Sequence, residues 1–231
     1  DVPVLPEDPT GFRAALEAYP HFEPAAFTAA DAARGAQYKA RAQAAALRET
    51  AGSLEDYQKS LEMVARIGPV DELNIARVVQ LINKTNQFNL TTRRRNRAEL
   101  EAFMADPATC HFWVRLADRF ADHGLIAVIL GREAEGDALE IDTFLMSCRV
   151  IGRGVEEVIA AEIGRHATAR GARAVRGLYI PTERNGMVAE LYPRLGFTAE
   201  AAPVDPAAPR RFTAAPDSLR TAAPIRVEHV S

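Results

Sequence analysis

Between Glu72 and Asn83, apolar side chains fall at positions 75, 78, 79 and 82, and this spacing predicts an amphipathic helix with one buried stripe. Residues 1–66 also read as helices. Asp8 before Pro9, Thr28 with Asp31, and Ser53 with Asp56 have the form of N-caps, where a side-chain oxygen takes up an orphaned first-turn amide. Asn96 with Glu99 predicts another capped helix, ending before Pro107. After Pro107 the pattern turns β-branched and apolar over 110–118, 125–133 and 138–147, with turn signals at Asp122-His123-Gly124 and Glu135-Gly136-Asp137. This predicts an antiparallel meander. A glycine-bearing turn at 149–154 then leads to a helix through about Arg170, a strand at 174–180, a helix at 185–194 and a last strand at Phe197. The order implies an α/β (α+β) chain, with a mixed, mostly antiparallel sheet flanked by helices and preceded by a helical N-terminal segment. Five of the 14 prolines lie in 199–231 among many alanines, which predicts an extended surface tail that adds no core.

With 231 residues and 48% hydrophobic content, the chain can bury one large domain, or one domain with an appendage. A net charge of −3 offers no global attraction to nucleic acid or an anionic membrane, so any anion site must be local. Cys110 and Cys148 lack metal-ligand spacing and are too few for a disulfide framework, which suits a reducing cytoplasm and implies no metal. No apolar run approaches the roughly 20 residues of a membrane span, so the expectation is a soluble cytoplasmic protein. An opening at Asp1 with Pro3, Pro6 and Pro9 reads as a piece of something longer.

The chemistry concentrates at Arg149-Val150-Ile151-Gly152-Arg153-Gly154, where an apolar strand meets a helix. Glycines there let backbone amides approach an anion, and the helix aims its positive end at the same point. A pyrophosphate fits, which makes Arg149, Val150, Gly152, Arg153 and Gly154 candidate phosphate-binding residues. No Gly-Lys-Ser/Thr follows, so this is not a P-loop, and Glu157 at the third glycine position excludes the dinucleotide fingerprint. The same six residues also suit a plain strand-to-helix turn.

Downstream stand Asn185, Ala189, Leu191-Tyr192 and Gly196-Phe197. Together with the glycine turn, this pattern resembles the GNAT acyltransferase superfamily, which implies a GNAT-like fold and coenzyme A or carrier-protein phosphopantetheine as the thioester carrier. By that resemblance Arg149–Gly154 hold the pyrophosphate, Asn185 borders the pantetheine, and Tyr192 protonates the leaving thiolate. A phenol with a pKa near 10 stays protonated at neutral pH and can donate to a sulfur anion beside it. A packed aromatic is the other reading of Tyr192. For a base, Glu140 and Asp142 lie two apart on a strand and so share a face, where they serve either as base or as the solvated face of an edge strand. Cys148, beside Arg149 and a helix start, is a candidate acyl acceptor or a buried thiol. His123 is a weaker candidate in its turn.

The stretch Gln80–Arg94, QLINKTNQFNLTTRR, is too distinctive for periodicity to explain. With Asp118-Arg119-Phe120, Asp122-His123-Gly124 and Met146-Ser147-Cys148-Arg149-Val150, it resembles the FkbH-like family. That resemblance implies an end of a HAD-like domain and connecting helices over 1–66, a GNAT-like domain over 67–200 and a tail over 201–231. It also implies a role in loading glyceryl units onto an acyl carrier protein for polyketide-type biosynthesis. The HAD hallmark, Asp-x-Asp, occurs nowhere in the chain, so phosphoryl chemistry is not assigned to these residues. Asn83, Asn86, Gln87 and Asn89 offer donors and acceptors, and Arg93, Arg94 and Arg95 form a local cation cluster. Together they suit a phosphopantetheine arm or an acidic carrier-protein helix, or an amide cap network with solvated arginines. The expected partners are an acyl carrier protein and a small acyl thioester, with no nucleic acid and no membrane.

Overall fold

The computed structural model describes residues 51–200, 205 and 207–230, and of the earlier residues Asp8, Gly11, Phe12, Gln43, Ala44, Leu47 and Arg48. The helix starts expected at Pro9 and at Thr28 with Asp31 lie outside the described residues. The chain divides into two compact units, 1–45 and 46–231, and the second carries the sheet and every element named below.

Helix α1 (Leu54–Ser60) begins as expected at Ser53, whose Oγ accepts the Asp56 amide at 3.0 Å. Strand β1 (Met63–Gly68) follows, where the sequence pattern predicts helix as far as residue 66. Helix α2 (Ile75–Lys84) places Ile75, Val78 and Ile82 fully inside, with Val79 partly buried, so the periodic stripe is the buried face. Each such side chain contributes roughly 1.5–3 kcal/mol by leaving water. Helix α3 (Arg97–Ala105) has the full reciprocal cap: Asn96 Oδ1 takes the Glu99 amide and Glu99 Oε2 takes the Asn96 amide. Strands β2 (Thr109–Ala117), β3 (Asp122–Ala134) and β4 (Ala138–Met146) form the predicted meander. A 3₁₀ turn at Cys148–Val150 leads to α4 (Val155–Ala169), then β5 (Ala174–Tyr179). The helix expected over 185–194 is a 3₁₀ turn at Gly186–Val188 and a single turn of helix, α5 (Leu191–Arg194), followed by β6 (Thr198–Ala199).

The expected tail instead supplies two strands, β7 (Arg210–Ala214) and β8 (Ile225–His229). Phe212 and Leu219 are buried, so this stretch adds core, and the sheet-bearing unit runs past the boundary expected at residue 200. The eight-stranded sheet has the order β6-β7-β5-β4-β3-β2-β1-β8, parallel only at β4/β5 and β1/β8. Helices α2 and α3 pack on one face around Trp113, Val128, Leu130 and Leu145.

One irregularity shapes the site. Thr143 pairs with Leu130 and Ile141 with Gly131, so Asp142 is an extra residue in β4, a bulge that bends the strand. Pairing with β5 stops there, at Ile141 opposite Gly177. Beyond it, Phe88–Leu90 fills the gap between the diverging strands. Leu90 N donates to Phe144 O (3.1 Å), Met146 N to Phe88 O (3.0 Å) and Ile180 N to Leu90 O (2.8 Å).

Candidate functional site

The turn after β4 is assembled by local hydrogen bonds. Ser147 N donates to Ile126 O (2.7 Å), Val150 N to Ser147 O and Ile151 N to Cys148 O. Gly152 and Gly154 then take φ of +79° and +81°, a region where an L side chain is strained. At Gly154 the tolerance is also steric, since a Cβ there would meet that of Ala223 at 2.8 Å. Gly154 caps the fifteen-residue α4 without any side-chain cap. Among the described residues, the amides of Gly152, Arg153, Gly154, Val155 and Glu156 find no acceptor in the protein. Five free amides at the positive end of a long helix make a cradle that can receive an anion.

The two arginines of the turn do not serve the cradle directly. Arg149 Nη2 donates to the carbonyls of His123 (2.8 Å) and Leu125 (3.1 Å). Arg153 pairs with buried Asp118, which also takes His123 Nε2 at 2.8 Å. Val150 is buried beneath the turn. The guanidinium groups expected at the phosphates instead tie the turn to the β2–β3 hairpin, Arg153 at its connection and Arg149 on the start of β3.

Next to the turn opens a cleft of about 650 Å³. It is lined by Lys84–Phe88, by Ser147 and Cys148, and by Glu183 and Arg184 from the loop after β5. Asn86, Gln87 and Cys148, singled out separately in the sequence, therefore line one cleft. The Cys148 thiol is exposed. Ser147 is 9% exposed, and its hydroxyl bonds to nothing among the described residues. Neither Ser147 nor the Glu183-Arg184 pair was foreseen, because single polar residues in loops carry no periodic signal.

Other expected residues lie elsewhere. Asp142 is buried, and β4 is an interior strand, so Asp142 is neither a solvated carboxylate nor a free base. Arg93 pairs with its Oδ2 and Arg95 with its Oδ1 (2.8 Å). The bulge at Asp142 also breaks the alternation that would place it on one face with Glu140. Glu140 instead lies 3.7 Å from Arg211 of β7. Arg94 caps the C-terminal end of α2 through Ile82 O, Thr85 O and Asn86 Oδ1. Asn83 Nδ2 donates to Val79 O and Arg95 O. Asn89 and Asn185 are fully buried. Asn185 Nδ2 donates to Asn89 O and Ile180 O (2.9 Å each), while its Oδ1 accepts from Thr182 N (2.8 Å). The amide-rich segment is thus mostly an internal network, and Asn185 holds Phe88–Leu90 in the strand gap rather than bordering an open channel.

Tyr192 departs furthest from expectation. Its ring packs against Phe197 and Phe212, with centroids 4.9 and 5.2 Å away, and lies directly over Gly177. The hydroxyl faces the Leu178 backbone without hydrogen-bond geometry, and burial pushes its pKa well above the ordinary phenol range. A proton donor to a thiolate must touch it, and this phenol is sealed in core.

The sheet and its flanking helices match solved structures. The GNAT domain of S. lividans PAT superposes with a TM-score of 0.50 at 16% identity, over 64% of this chain and 89% of that one. The chain has the GNAT fold. Spermidine N-acetyltransferase from Vibrio cholerae, solved in complex with CoA and spermine, gives 0.50 at 14% identity over 68% of this chain and 98% of that one. A putative acetyltransferase of the GNAT family from Desulfovibrio desulfuricans gives 0.51 at 12% identity, over 67% and 99%. No family model and no curated protein sequence matches the chain. Among the described residues, no helix is long and apolar enough to cross a membrane, and no His, Cys, Asp and Glu group is arranged to hold a metal.

Proposed function

We propose that this chain is an acyltransferase of GNAT type that takes its acyl group from a pantetheine thioester. The observation carrying this reading is the set of five unpaired amides at Gly152–Glu156, in a turn whose first residues, Ser147 and Cys148, line a cleft of about 650 Å³. The amides take the phosphates of the carrier, with no contribution needed from Arg149 or Arg153. The carrier's arm runs in the cleft past Ser147 and Cys148, because Phe88–Leu90 already occupies the hydrogen-bonding edges of β4 and β5. The thioester supplies an activated carbonyl and a thiolate leaving group. In the cleft, the Ser147 hydroxyl is placed to donate a hydrogen bond, and Glu183 is the lining carboxylate that can receive a proton from an acceptor amine. The carrier is coenzyme A or the phosphopantetheine of an acyl carrier protein. The likeness of Gln80–Arg94 and Met146–Val150 to the FkbH-like pattern supports the second carrier, and with it a place in loading acyl units for polyketide-type synthesis.

A second reading has its own support. Asp142 and Tyr192, expected as base and acid, are both withheld from the cleft, which favours a GNAT-fold module that docks a carrier without turnover. Calorimetric titration with acetyl-CoA and with holo carrier protein, followed by turnover with amine acceptors, separates the two. Binding with turnover that falls in Glu183→Gln supports the enzyme. Binding without turnover supports the docking module, and no binding of either carrier removes both.

A further inference from the structure

Arg153 sits between the two positive-φ glycines of the cradle, and its guanidinium turns inward to a carboxylate thirty-five residues earlier in the chain. Glycine has the most backbone freedom to lose, so a turn built on two of them needs an outside constraint to hold one shape. Gln58 Nε2 reaches Gly152 O at 3.1 Å, but through a neutral, solvent-exposed bond. The Asp118–Arg153 pair is the charged contact, and it is buried, with side-chain exposures of 1% and 10%.

Asp118 is itself immobilised. Its Oδ1 accepts the amides of Phe120 and Ala121 at 2.8 Å each, and its own amide donates to Ala121 O at 2.9 Å. Its Oδ2 takes both Arg153 and His123, and His123 Nε2 lies 3.3 Å from Arg153 Nη1. The His123 carbonyl receives Arg149. Both arginines of the turn are therefore anchored on one hairpin, Arg153 at its connection and Arg149 on the start of β3, and Asp118 sets the shape of that connection. We infer that Asp118 is a positioning residue for the cradle, acting through Arg153 and His123 to hold Gly152–Glu156 in the conformation that leaves their amides free for an anion. This rests on the reading of that turn as a phosphate site. Breaking a buried charge pair strands the remaining charge, so the turn would rearrange to solvate Arg153.

Asp118→Asn keeps the volume and the Oδ1 caps but sets an amide NH₂ against two donors. In the ligand-free wild type, backbone ¹⁵N order parameters of Gly152–Gly154 are expected near the rigid value of about 0.85, falling below about 0.6 in Asp118→Asn while the centre of α4 stays rigid. Coenzyme A affinity, measured by calorimetry, is expected to fall about tenfold or more in the same variant. Should Asp118→Asn not fold, Arg153→Lys retains the charge but loses the fork and is expected to show the same two changes. Unchanged order parameters at Gly152–Gly154, or loosening that extends through all of α4, overturns the inference. If the wild type binds no coenzyme A, the phosphate site falls instead, and the order parameters still decide whether Asp118 fixes the turn.

Discussion

Gly152 and Gly154 have nearly the same backbone angle but different surroundings, and this separates two costs. A Cβ on Gly152 meets nothing within 4 Å, whereas one on Gly154 runs into Ala223. Gly152→Ala is therefore expected to cost only the left-handed strain, about 1–2 kcal/mol, and Gly154→Ala more, because the backbone near Ala223 must shift. Denaturant unfolding of the two variants checks the order. Tyr192 gives a sharper test. With its hydroxyl buried and unpaired, Tyr192→Phe is expected to leave carrier binding and turnover intact and to change stability by no more than about 1 kcal/mol, in the stabilising direction. A collapse of turnover would return the acid role to Tyr192. At this scale the sequence disclosed the glycine turn, because left-handed backbone demands a particular residue type. Burial of Tyr192 was not legible, since the apolar pocket comes from Gly177 and Phe212 on two other strands.

Among the elements, those with local rules were readable: the Ser53 and Asn96 caps, the stripe of α2 and the three strands of the meander. The gap-filling segment was visible only as an unusual composition. Its amides and arginines looked like ligand groups because their partners, Asp142 and the C-terminal carbonyls of α2, are brought close by the fold. Asp142→Asn strands Arg95, which is largely buried, and releases Arg93, which is partly exposed. The expected loss is about 2–3 kcal/mol, below the full penalty for a wholly buried pair because Arg93 keeps access to water. Loosening of Phe88–Leu90, seen as faster hydrogen exchange at Leu90 and Met146, should accompany it. A loss spread evenly over the sheet would contradict the local role.

One edge of the sheet is β8, which lies parallel to β1 although Arg66 and Glu228, paired across them at 2.9 Å, stand 162 residues apart. No local pattern announces such a partner, and the surrounding prolines and alanines read as tail. Behind this edge, Glu162 of α4 is buried and receives Arg165 (2.5 and 3.0 Å), His166 (3.3 Å) and His229 of β8 (3.0 Å). Burial alone would raise its pKa, but hydrogen bonds from His166, Arg165 and His229 outweigh it and hold the carboxyl well below the usual 4.5. Asp118 is depressed in the same way: burial would raise it, and His123 and Arg153, with its two backbone amides, outweigh that. A carboxyl whose folded pKa lies below its unfolded one stabilises above the unfolded value, and the contribution is lost as pH falls through the folded one. Stability should hold from neutral pH down to about 5 and then decline steadily into acid. Glu162→Gln should be less stable at pH 7 by about 2 kcal/mol and lose less on acidification, so that the two curves converge. Parallel curves of unfolding free energy against pH would contradict this.

For the cradle itself, the most direct measurement is a ¹H–¹⁵N NMR titration of the ligand-free protein with coenzyme A. The largest amide shifts are expected at Gly152–Glu156, with a second set at Ser147 and Cys148 in the cleft. Saturating coenzyme A that leaves the Gly152–Glu156 amides unmoved would contradict the account.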